Sequence, residues 1–217
     1  KWTSYTGARD QIKDQNKRSS RRLSQGHWMN GKLHGECRKW YDTGQLESQF
    51  YYANGIPVGE FKAYYKNGQL GEHHKYVNSE IEGEWCMWFR SGELREKHQF
   101  VKGKHDGESK YWHENGQLQK QLFFVKGKKE GEWNGWNEDG HMTYKFNYVN
   151  DVNEGQQLMW HSQNQLSMEY FCVNGKKHGV SKSWYKNGLL HIETKYDNGK
   201  KVGESKVWDQ NGQLSYM

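Results

Sequence analysis

The chain is poor in several things that usually organise a fold. It holds one proline, Pro57, three cysteines, and only 33% hydrophobic residues in 217 positions. Cys37, Cys86 and Cys172 fall at different points of the repeat described below, so no disulfide framework is expected. No apolar run reaches about 18 residues, so no membrane-spanning helix is predicted. No apolar leader core is visible either. The low hydrophobic fraction alone would suggest disorder. Against that stand 15% aromatic residues and 25 glycines, because disordered chains are poor in aromatics. A thin core of Trp, Tyr and Phe is expected instead, each ring burying roughly 150–250 Å².

An excess of one charge is also missing from most of the chain. The net charge is +6, but residues 1–22 hold seven basic side chains against Asp10 and Asp14, which leaves +1 for everything after them. Lys13, Lys17, Arg18, Arg21 and Arg22 make this arm a candidate contact for a polyanion or an acidic partner; a solvated tail is the alternative.

What the chain does have is a period. Glycine recurs every 24 residues at Gly35, Gly59, Gly83, Gly107, Gly131, Gly155, Gly179 and Gly203. Five residues after each stands Trp40, Tyr64, Trp88, Trp112, Trp136, Trp160, Trp184 or Trp208. A strict period of this length marks a repeat array whose units bury their apolar faces only against neighbours.

In the repeat Gly107 to Glu130, a short aromatic strand runs to an Asn115-Gly116 pair. That pair predicts a tight turn with positive φ at both residues. A second strand, 117–125, then ends at Lys126-Gly127. One repeat is thus one β-hairpin. The predicted core is the Trp column together with Leu46, Leu70, Leu94, Leu118, Leu166, Leu190 and Leu214, and a third column through Tyr52, Tyr76, Phe100 and Phe124. The repeat glycines are explained by close backbone approach or by positive φ at the corner between hairpins.

The predicted organisation is a basic arm at 1–22, a partial repeat at 23–34 and eight repeats from 35 to 217, the last incomplete. The sixth repeat, from Gly155, departs most from the pattern. At about 4.8 Å per strand the array should extend about 10 Å per repeat.

No catalytic constellation emerges. Glu36, Glu60, Glu84, Glu108, Glu132 and Glu204 form a column, whereas an active site is a singular arrangement; a structural role at the hairpin junction is expected. His74 and His98 occupy one column about 10 Å apart, too far for one zinc ion, and are read as half-buried polar fillers. No cofactor, metal or small-molecule substrate is expected.

The motif Gly-Glu-x-x-x-Trp-x-x-Asn-Gly-x-Leu followed by aromatic-Val-x-Gly-Lys resembles the MORN repeat (membrane occupation and recognition nexus), in its second subtype. It is carried by Gly59 to Leu70, Gly107 to Gly127 and Gly179 to Gly203, and the likeness covers about residues 24–217. The resemblance implies an all-β fold: an elongated, single-layer, twisted antiparallel sheet of tandem 24-residue β-hairpins, used as a non-enzymatic scaffold for protein–protein interaction or self-association. Arrays of this subtype occur in bacterial antitoxin-like proteins and in proteins of giant DNA viruses of amoebae. The uniform spacing and Lys/Asn/Trp-rich texture resemble the viral set. A virion or host-cytoplasm location follows if viral, a cytoplasmic one if bacterial. Nucleic acid is not expected as a partner, and a membrane role, through the arm, stays open.

Overall fold

The computed structural model describes residues 11–12, 23–162 and 165–216. Among the described residues there is no α-helix; almost every segment is strand or turn. The chain divides into two compact units, one of Lys1–Leu94 with Phe100–Gly103, the other of Arg95–Gln99 with Lys104–Met217. In each unit successive strands pair antiparallel with their sequence neighbours, as tandem hairpins require.

Two kinds of turn alternate. The tight one sits at Asn54-Gly55, Lys126-Gly127 and Asn174-Gly175, where both residues have positive φ (51° and 83° in the first). This is the two-residue hairpin turn whose twist matches that of the strands. Asn115-Gly116 behaves otherwise and corrects the sequence expectation. Only Gly116 has positive φ (83°). Its amide donates to the His113 carbonyl (2.9 Å), and the His113 amide donates to the Gln117 carbonyl (2.9 Å). The loop is therefore a wider turn closed by a bulge: Tyr111 opposes Lys120 and Trp112 opposes Leu118, which leaves Gln119 extra.

All eight repeat glycines have positive φ, between 64° at Gly131 and 110° at Gly107. A Cβ built at Gly131 or Gly179 would meet nothing within 4 Å. Backbone conformation, not close approach, is what requires glycine there. The conformation bends the strand. Gln49 pairs with Lys62 and Tyr51 with Val58, so four steps on the glycine-bearing strand span two on its neighbour. Close approach operates at Gly135 instead, where an added Cβ would lie 2.2 Å from the Tyr144 ring.

Alternation gives each sheet an inner and an outer face. The inner face centres on a pairing that joins Cys37 to Phe50, Phe61 to His74, Ser109 to Leu122, Trp133 to Phe146 and Gln157 to Tyr170. Its deepest members are Ser109, His98, Gln157, Cys37, Cys172, His74, Thr194 and Leu122. In the first unit rings run Tyr52, Phe50, Phe61, His74, Tyr76 with neighbouring centroids 4.6–6.4 Å apart. In the second they run Tyr111, His98, His105, Phe124, Trp133, Tyr148 at 4.9–5.2 Å. Histidine here serves as an aromatic ring of the core. His74 and His98 are therefore not half-buried; they are 4% and 1% exposed.

Candidate interaction surface

The outer face carries a polar ladder. Glu36 accepts from Arg38 (2.9 Å) and from Gln49; Glu60 bonds His73. Glu108 pairs with Lys110 (2.7 Å) and accepts from Gln121 (2.5 Å), and Glu132 pairs with Lys145 (2.6 Å). In the sixth repeat the arrangement is inverted, with Gln156 donating to Glu169 (2.7 Å). Hydrogen bonds from Lys110 and Lys145 lead in holding the Glu108 and Glu132 carboxyls below the ordinary range. At Glu36 burial pushes the other way, but Arg38 and Gln49 prevail and the pKa is lowered. These carboxylates are charged and engaged, unlike a general acid, whose pKa must be raised.

In each unit exposed apolar side chains stand beside the ladder, near the tight-turn edge. Val77, Val101, Val125, Val149 and Val173 occupy one repeat position and are all exposed, and Phe123 and Phe171 stand two residues before two of them.

Both edges tie one repeat to the next. At the wide-loop edge the residue after the Trp reaches the main chain one repeat on. Tyr41 donates to the Tyr64 carbonyl (2.6 Å), Tyr65 to Trp88 (2.7 Å), His113 to Trp136 (3.0 Å), His161 to Trp184 (3.0 Å) and Tyr185 to Trp208 (2.9 Å). The motif asparagine acts beside it. Asn115 accepts from the Gln117 amide (3.0 Å) and donates to the Glu138 carbonyl (2.7 Å). At the tight-turn edge the Gly127 amide reaches the His105 carbonyl (2.7 Å), while Glu130 accepts from the Asn150 amide (2.9 Å). Buried or half-buried backbone groups need partners, and these side chains supply them.

Trp40, Tyr64, Trp88, Trp112, Trp136, Trp160, Trp184 and Trp208 are half-buried, as are Leu46, Leu70, Leu94, Leu118, Leu166 and Leu190. Leu214 is 47% exposed. The deepest column, through His74, His98 and Leu122, was missed by sequence reading because its residue types differ so much; the strand alternation through Leu122 was the available signal. Lys13, Lys17, Arg18, Arg21 and Arg22 lie outside the described residues. Burial pushes the Cys37 and Cys172 thiols up, the reverse of what a reactive cysteine needs. Among the described residues no group of three or more His, Cys, Asp or Glu could hold a metal ion. No helix among them is long and apolar enough to cross a membrane.

The family model described as MORN repeat variant matches residues 33–55, 57–78, 81–102, 106–126 and 177–200, more than half of the chain. No curated protein matches the chain.

Proposed function

Because this chain belongs to the MORN repeat variant family, we propose that it is a non-enzymatic scaffold that binds other proteins along the outer face of its hairpin array. The observation that carries this is the row of exposed Val and Phe beside a neutral ladder of paired charges. Scattered exposed apolar residues are ordinary, but an ordered row is the usual mark of a protein-binding surface. A column of carboxylates with lowered pKa and thiols with raised pKa supports binding over chemistry.

The finer role proposed is assembly within a large viral particle, in line with the uniform spacing and the Lys/Asn/Trp-rich texture. An antitoxin-like neutralising binder would use the same surface. Co-purification from the native source under mild salt tests the scaffold. A stoichiometric partner protein retained by the wild type and lost on Phe123→Lys with Phe171→Lys, at unchanged Tm, is the expected result. A partner held equally by both chains, or measurable turnover of a substrate, would sink it. A particle protein among the retained partners supports the assembly role; a small toxin supports neutralisation. A membrane role through residues 1–22 predicts flotation with anionic liposomes that disappears when the arm is removed.

A further inference from the structure

The second unit sorts its lysines by face. On the outer face Lys110, Lys145 and Lys182 lie 2.7, 2.6 and 3.7 Å from the carboxylates of Glu108, Glu132 and Glu193. Lys129, Lys177 and Lys201 stand directly opposite Phe124, Cys172 and Tyr196, so they share the inner face with them. None of these three forms a salt bridge among the described residues. Two of them rest on rings instead. The Lys129 ammonium lies 4.5 Å from the centre of the Trp133 ring and 4.8 Å from that of Tyr148. The Lys177 ammonium lies 4.5 Å from Tyr170 and 5.3 Å from Tyr196. A cation held over an aromatic face is oriented without being neutralised.

Hydrogen-bond donors are left over beside them. The hydroxyls of Tyr41, Tyr65 and Tyr185 reach carbonyls, whereas those of Tyr148, Tyr170 and Tyr196 donate to no described residue. Burial, with Cys172 and Tyr148 nearby, pushes the Tyr170 phenol up, so it stays a donor. Acids are few here and already engaged. Glu130, Asp151 and Glu154 accept from the amides of Asn150, Lys129 and Asn174 at 2.9, 2.8 and 2.7 Å. Glu96, which shares the inner face with His98, is held by Arg95 at 3.0 Å. In the tight-turn segments 126–130, 150–154, 174–178 and 198–202, seven lysines stand against three acids. The wide loops of the same unit carry Glu114, Glu138, Asp139 and Asp209 against Lys186. Counted along the chain the signs nearly cancel; the fold sends them to opposite edges.

We propose that the tight-turn half of this inner face binds single-stranded nucleic acid, its phosphates following Lys129, Lys177 and Lys201 and its bases packing against the rings between them. Lys129 and Lys177 lie four strands apart, and Lys201 lies two strands further on. At the ordinary spacing that is a track of about 30 Å. Single-strand modules combine cations and aromatic platforms in this way and cover ~4–16 nucleotides. An acidic peptide would meet the same lysines and leave the rings unused, and a duplex keeps its base faces stacked away. Unpaired bases use both. The scaffold surface lies on the opposite face, so either reading can fail without the other.

Fluorescence anisotropy of the full chain with labelled oligo(dT) and oligo(U) tests the proposal. Lys129→Gln with Lys177→Gln should weaken binding at least ~10-fold and reduce the slope of log Kd against log salt by about 1.4, at ~0.7 per phosphate contact. Lys145→Gln with Lys182→Gln removes the same charge from the outer face and should change affinity less than ~2-fold. Tyr148→Leu with Tyr170→Leu should weaken binding with the slope intact, because stacking neutralises no phosphate. Ultraviolet crosslinking of the wild type needs no variant to fold, and should mark peptides that carry Trp133, Tyr148 or Tyr170. No binding at about 50 mM salt overturns the proposal. So does equal loss in the two lysine pairs, equal affinity for duplex DNA or polyglutamate, or crosslinks confined to residues 1–22.

Discussion

The fourth and sixth repeats share a strand register and little of their interior. Gly107 opposes Phe124 and Trp112 opposes Leu118; the same register recurs where Gly155 opposes Cys172 and Trp160 opposes Leu166, bulge included. Yet the fourth repeat buries Ser109 against Leu122, and the sixth buries Gln157 beside Tyr170. The Gln157 side chain accepts from the Asn147 amide (3.2 Å) and donates to the carbonyls of Asn147 (3.1 Å) and Glu154 (3.1 Å). A satisfied polar network thus stands where the fifth repeat has Trp133 and the seventh Ser181. The family model passes over residues 127–176, which include most of this repeat. Register therefore depends on the positive-φ glycines, the turns and the ties between repeats more than on what fills the middle.

The largest effect should come from the aliphatic interior. Leu122→Ala should cost about 2–5 kcal/mol in thermal or urea unfolding. A cost under about 1 kcal/mol would mean that the buried column is not the core. Next come the glycines. Gly107→Ala and Gly155→Ala should each lose about 1–2 kcal/mol from the left-handed backbone alone. Gly107→Ala should lose more, since its new Cβ would lie 3.3 Å from Gln99 against 3.6 Å from Asn147 for Gly155→Ala. If only the fourth repeat responded, the sixth would hold its register by other means. Gln157→Leu should cost about 1–3 kcal/mol by taking the side-chain acceptor away from the Asn147 amide, whose carbonyl keeps the Glu154 amide as donor. A stabilised variant would show that the network is dispensable.

The smallest difference is in acid. Burial lowers the pKa of His98, outweighing its Glu96 contact, and lowers that of His105, both from 6.5. The unfolded chain then takes up protons first, so stability present above pH 6.5 is lost as pH falls through the lowered values. The lowered carboxyls Glu36, Glu108 and Glu132 act in a separate window that opens below 4.5. Tm should be flat from pH 6.5 until the raised thiols of Cys37 and Cys172 come into play near pH 9.0, and should decline below 6.5; His98→Phe should flatten the first part of that acid decline. An unchanged slope in the variant would remove His98 from the explanation.

Much of this fold was legible in the sequence, because a left-handed glycine leaves its mark in every repeat. The period gave the hairpins, and the column through Tyr52, Tyr76, Phe100 and Phe124 gave part of the inner face. The two Asn-Gly-like turns were harder to tell apart. Asn115 owes its place to the Glu138 carbonyl, a partner from the following repeat that no dipeptide rule contains. The deepest column was hidden because His74, His98 and Leu122 do similar packing work with dissimilar chemistry. The outer apolar row recurs at one repeat position, through Val125, Val149 and Val173, but only the fold shows that these side chains are exposed.

Site-specific photo-crosslinking in the native source tests the central claim most directly. A photoreactive side chain at Phe171, on the outer face, should yield discrete protein adducts, while the same group at Tyr148, packed against Trp133 on the inner face, should yield none. Adducts from Tyr148 and silence from Phe171 would place the functional surface on the other side of the sheet.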